Sequence, residues 1–110
     1  MINAGAFKMR AGILELIAGI ALNAVEGVSG TGMRGDHPED RRRRKNLSKG
    51  MRAEAQEGTV TFDVDVCMEY GKDFIESARR IQEAVTSMVA AMTGWEVVAV
   101  NVNVVGVNAL

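Results

Sequence analysis

The run "TVTFDVDVCMEY", residues 59–70, constrains the fold more than any other stretch. Val60, Phe62, Val64, Val66, Met68 and Tyr70 alternate with Thr61, Asp63, Asp65, Cys67 and Glu69. An extended strand points successive side chains to opposite faces, so this spacing sorts into one apolar and one polar side. The strand therefore belongs to a sheet with one face in a core and the other towards water. All six apolar residues, Tyr70 included, are expected inward. Just upstream, Met51, Ala53 and Ala55 alternate with Arg52, Glu54 and Gln56, and Glu57-Gly58 makes the turn of a hairpin. Near the end, "WEVVAVNVNVVGV" alternates again. Val98, Val100, Val102 and Val104 are expected inward there, with Asn101 and Asn103 outward.

Two stretches change to helical spacing. Ile13, Ile17, Ile20, Ala24 and Val28, with Leu14, Ala21 and Val25 beside them, form an apolar stripe at three-and-four spacing. Gly27 is the expected stop. The start is poorly signalled, because Arg10 is no N-cap and Gly12 costs roughly 1 kcal/mol against alanine. The second helix is better marked. Asp73 is the expected N-cap, with Glu76 three residues on as a capping-box partner. Phe74, Ala78, Ile81, Val85, Met88 and Met92 make its stripe, and Gly94 ends it. "AFKMR" suggests a brief first strand, with Phe7 and Met9 on one side. A further short strand is expected near Val28.

The expected order is β-α-(β)-β-β-α-β. Two helices with an apolar face each, and a sheet with one apolar face, fit a two-layer α+β sandwich with both helices on one face of a mixed β-sheet. Residues 1–110 then form a single domain, with a flexible basic loop at about 29–48 rich in glycine. The other sheet face stays open, lined by Arg52, Asp63, Asp65, Glu69, Asn101 and Asn103 among others.

Composition narrows the setting. Hydrophobic residues make up 47% and charged residues 25%, which is globular and not disordered. One cysteine, Cys67, excludes an intramolecular disulfide and points to a reducing compartment. The start of the chain lacks the pattern of a signal peptide. The longest apolar stretch carries Glu15 and Glu26 and is too polar to span a bilayer. A cytoplasmic location is therefore expected.

The residues offer little chemistry. His37 is the only histidine, next to Pro38 in the loop, without the positioned partner that general catalysis needs. Cys67 sits mid-strand on the polar side and reads as a bland thiol. Asp63, Asp65 and Glu69 share one strand face and could gather a hard cation, but no glycine-hinged ligand loop accompanies them. Surface carboxylates are the plainer reading. "GVSGTGMRG" lacks the Lys-Ser/Thr of a phosphate-binding loop. No enzyme activity, catalytic residue, metal or cofactor is expected.

Arg41, Arg42, Arg43, Arg44 and Lys45 form the loudest charged feature. Residues 34–52 hold eight basic against three acidic side chains, a net +5, while residues 53–110 hold three against nine, a net -6. Such a dipolar chain favours self-association or a charged partner. Each basic residue near an anionic surface contributes about 1 kcal/mol, so the run could hold a weak anionic-membrane contact. It could also meet nucleic-acid phosphates with steep salt dependence. The chain lacks a GXXG clamp and an exposed aromatic pair for base stacking, which argues against nucleic acid. A solvated loop is the plainer reading of the run.

Five pieces in order carry a resemblance: Asn46 to Gly50 ("NLSKG"), Glu69 to Gly71 ("EYG"), Met92 to Gly94 ("MTG"), Glu96 to Val107, and "IAGIALNAVEGV" in the first helix. Together they resemble the alkaline-shock, or Gls-type envelope stress response, proteins over nearly the whole chain. The chain departs in opening its first helix with Met9-Arg10-Ala11-Gly12, where the family has Ser or Asp. The resemblance implies a non-enzymatic cytoplasmic protein of Gram-positive-type bacteria, tied to alkaline or cell-wall stress. It also implies a homo-oligomer held near the membrane by a membrane-anchored partner. The alternative is a polyanion-binding module using Arg41 to Lys45. The candidate contacts are that run together with Asp63, Asp65, Glu69, Asn101 and Asn103.

Overall fold

A computed structural model describes residue 9, residues 12–31 (backbone only for 29–31) and residues 50–108. Along the chain lie α1 (Ile13–Asn23), β1 (Val28–Thr31), β2 (Met51–Gln56), β3 (Thr59–Glu69), α2 (Phe74–Thr93) and β4 (Glu96–Asn108). The expected first strand falls largely outside the described residues, and Met9 is in no strand.

The sheet is three strands wide, with β3 in the middle. One edge of β3 pairs antiparallel with β2 (Met51↔Val64 to Gln56↔Thr59) and then with β1 (Val28↔Met68 to Thr31↔Val66). The other edge pairs in parallel with β4 along its whole length. Two helices pack on one face, so the two-layer α+β arrangement holds. The hairpin turn is Glu57-Gly58, where Gly58 takes a left-handed φ of 75° that favours glycine.

The core sits between helices and sheet. Val60, Phe62, Val64, Val66 and Met68 are all at most 1% exposed, as the alternation predicts. From α2 come Ile81, Val85 and Val89, a line at every fourth residue. Asp73 caps α2 by accepting from the Glu76 amide at 3.1 Å, and Gly94 ends it at φ 75°. Both are as the sequence predicts.

Six expectations need correcting. Tyr70 is 70% exposed, because β3 ends at Glu69 and the chain turns away at Tyr70-Gly71. The buried side of α1 is Leu14, Ile17, Ala18, Ala21 and Leu22, while Ile13 and Ile20 are exposed. The stripe in the sequence merged two faces of an almost uncharged helix. That helix ends at Asn23, short of Gly27, which serves instead in the turn before β1. Met92 is 63% exposed, because the buried line of α2 runs through Val85 and Val89 and not through Met88 and Met92. Lastly, Val98 is 63% exposed. The register jumps from Val60↔Val97 to Thr61↔Ala99, so Val98 is the extra residue of a bulge and Val97 packs against the core in its place. Val104 is in phase opposite Val66 but is 42% exposed on the edge strand.

The outer edge of β4 can be read from the ladders. The Asp65 amide donates to the Gly50 carbonyl, so odd-numbered residues of β3 turn their backbone groups to β2 and even-numbered ones to β4. Paired with those, Ala99, Asn101 and Asn103 turn inward, leaving the backbone groups of Val100, Val102 and Val104 at the outer edge. Gln82 on α2 donates its side-chain amide to the Val100 carbonyl at 3.1 Å and ties the helix to this edge.

Candidate interaction surface

The face of the sheet away from the helices carries the polar residues that the alternation predicts. No described element covers it. Register places Arg52 opposite Asp63, Asp63 opposite Asn101, and Asp65 opposite Asn103. Cross-strand neighbours on one face lie close enough to touch, and here they connect. The Arg52 guanidinium donates to both oxygens of Asp65, at 3.1 and 3.2 Å, in a diagonal fork. The Asn103 side-chain amide donates to the same carboxylate at 3.2 Å. Three strands are thus laced together by side chains on their exposed side.

These donors set the electrostatics. Hydrogen bonds from Arg52 hold the Asp65 carboxyl below the usual carboxylate range, and Asn103 adds to the effect. The bond to Asp65 raises the Arg52 guanidinium in turn. A carboxyl depressed in the folded state stabilises the fold above its unfolded pKa, and that stability is lost as pH falls through the lower folded value. Asp65→Asn should therefore unfold more readily than the wild type at neutral pH, and the gap should close as the solution is acidified below about pH 4. Urea midpoints across a pH series measure this; a gap that stays constant down to acid pH would contradict it.

Asp63, Asp65, Glu69, Asn101 and Asn103 all lie on this one face, and Asp65 is the centre of its network. Glu69 stands at the far end, opposite Asn108. Among the described residues no three His, Cys, Asp or Glu side chains gather as metal ligands would. Cys67 is half-buried on the same face, beside Gly106, where an added Cβ would come within 3.1 Å of its Sγ. His37 and the run Arg41, Arg42, Arg43, Arg44 and Lys45 lie outside the described residues.

A second surface is one that the sequence pattern did not reveal. Between α1 and α2, on the side away from the sheet, lies a groove of about 480 Å³. Its walls are Ala21 and Ala24 on one side and Ala84, Met88, Ala91 and Met92 on the other, with Ser87 the one polar lining residue. One signal could have found it. Across Ile13–Asn23 the only charged residue is Glu15, and a helix that is apolar all round has more than one side to cover.

The pattern of the alkaline shock protein 23 family, described by a cell envelope-related function, matches residues 2–109. The chain belongs to this family. The Streptococcus pyogenes protein Spy1535 is 35% identical over 96 residues, which is 86% of this chain and 73% of that one. YqhY of Bacillus subtilis is 29% identical over 98 residues, 86% of this chain and 71% of its own length. Among solved structures, a MamM-CTD mutant matches 91% of this chain and 86% of its own, at 17% identity and a TM-score of 0.48. Membership gives the chain a cell envelope-related setting. None of its described helices is long and apolar enough to cross a membrane.

Proposed function

We propose that this family member is a non-enzymatic protein of the envelope stress response. In this reading it is cytoplasmic and acts by self-association and by docking a membrane-anchored protein partner. The observation that supports it best is the bare sheet face, where Arg52, Asp65 and Asn103 are already ordered by their own hydrogen bonds. A pre-ordered polar surface loses little side-chain entropy when a protein lands on it. Asp63, Glu69 and Asn101 supply the adjoining contacts. The family's envelope-related description accords with this setting.

The second reading rests on Arg41 to Lys45 and makes the chain bind anionic membrane or RNA directly. One experiment separates the two: light-scattering mass, with co-sedimentation on anionic and neutral vesicles across a salt series. The first reading expects a mass above the 11.8 kDa monomer and no vesicle binding. Binding to anionic vesicles that salt abolishes would favour the second. A monomer at every concentration would remove self-association.

A further inference from the structure

We propose that the outer edge of β4 takes up an extended segment of another protein as a further strand along Ala99–Val104. That segment is aliphatic at alternate positions, with Lys or Arg between them. The proposal rests on the docking function above and adds the edge that borders the bare sheet face.

The backbone comes first. Val100, Val102 and Val104 turn their amides and carbonyls away from β3. The Gln82 side chain occupies the Val100 carbonyl. Among the described residues nothing meets the backbone groups of Val102 and Val104. An open strand edge is a template for one more strand, and natural edges are guarded by charge, proline, bulges or brevity. Here the two bulges, at Val98 and Val105, stand at the ends of the stretch. Between them "AVNVNV" carries no charge and no proline, and its length is that of an ordinary strand.

The side chains define the strand that fits. Val100, Val102 and Val104 form a row on the helix side, and Val104 is 42% exposed. Aliphatic residues of an added strand stand beside this row and cover it. On the open side the row is Asn101 and Asn103, with Asp63 and Asp65 behind them on β3. Arg52 gives both hydrogen bonds of its fork to Asp65. Asp63, opposite the same Arg52, is left without a hydrogen bond among the described residues. An added strand lies about 10 Å from β3. A Lys or Arg opposite Asn101 lays its stem across the asparagine and brings its charge to Asp63. Main-chain bonds then supply affinity, and charge complementarity supplies selection. A second copy of this chain fits less well. Its β4 offers asparagines where the cations belong, and its one charged residue there is Glu96.

The test uses the full chain and a synthetic peptide of alternating Val and Lys. Calorimetry reads the dissociation constant, and hydrogen exchange followed by NMR reads single amides. The peptide is expected to bind and to slow exchange at Val100, Val102 and Val104 at least about tenfold. Val102→Pro removes an amide that β3 does not use, so the fold tolerates it, and binding should weaken at least about tenfold. Asp63→Asn should weaken binding and flatten its salt dependence. No binding, or binding that leaves these three amides exchanging as before, overturns the proposal on the wild type alone. A folded Val102→Pro chain that binds like the wild type also overturns it. An unchanged salt dependence in Asp63→Asn overturns the choice of Lys or Arg. Protection that appears without peptide as the chain is concentrated gives the edge to a second copy, and so overturns it too. Loss of the edge leaves docking on the sheet face standing, which growth under stress tests separately.

Discussion

Gly27→Ala should lower the melting temperature by about 10 °C or more. Gly27 is buried in the turn between α1 and β1, at φ 92°. An L-residue held in the left-handed region costs roughly 1–2 kcal/mol. The added Cβ would also come within 2.7 Å of the Ser77 Oγ on α2, closer than such contacts tolerate. Ser77 is itself buried and has little room to retreat. Overpacking of this kind costs about 1–3 kcal/mol. Together these reach about 2–5 kcal/mol, and a domain of this size loses at least about 4 °C for each kcal/mol. The double variant Gly27→Ala, Ser77→Ala should recover the crowding part and keep the backbone part. Thermal unfolding of the three proteins separates the two causes. A single variant as stable as the wild type would contradict the close approach of the turn to α2.

Phe62→Ala should cost about 3–5 kcal/mol, against a total of roughly 5–15 for an ordinary domain. Phe62 is fully buried in the central strand, between Ala53 on β2 and Val100 on β4. Its loss leaves a cavity lined by two layers that cannot collapse together. Tyr70→Ala makes the comparison sharp. The same alternation places Tyr70 in phase with Phe62, yet it is 70% exposed. Its replacement should stay within about 0.5 kcal/mol. Denaturant midpoints for the pair test whether burial, and not strand parity, sets the energetics; equal losses would contradict that.

These two cases show what the sequence carried and what it did not. The middle of β3 was legible because alternation over several residues has one structural meaning. Its end was not, since parity says nothing about where a strand stops being covered. The cap at Asp73 and the stop at Gly94 were legible because local backbone chemistry sets them. Val98 went wrong through a bulge, which shifts phase by one residue and leaves no mark in an all-apolar run. In α1, hydrophobicity on nearly every side hid which side faced the sheet, and with it the groove. On the open face the residue set was legible from parity alone. The diagonal fork from Arg52 to Asp65 was not, because it depends on the register between β2 and β3.

The claim that the bare sheet face docks a partner in envelope stress is tested most directly in cells. A strain lacking this protein would be complemented with the wild type or with Asp63→Lys, Glu69→Lys, then grown under alkaline and cell-wall stress. Both substitutions sit on the open face and remove none of the partners in the hydrogen bonds among Arg52, Asp65 and Asn103. With matched protein levels and matched melting temperatures, the wild type should restore growth and the variant should not. Full rescue by the variant would show that the sheet face is not the working surface.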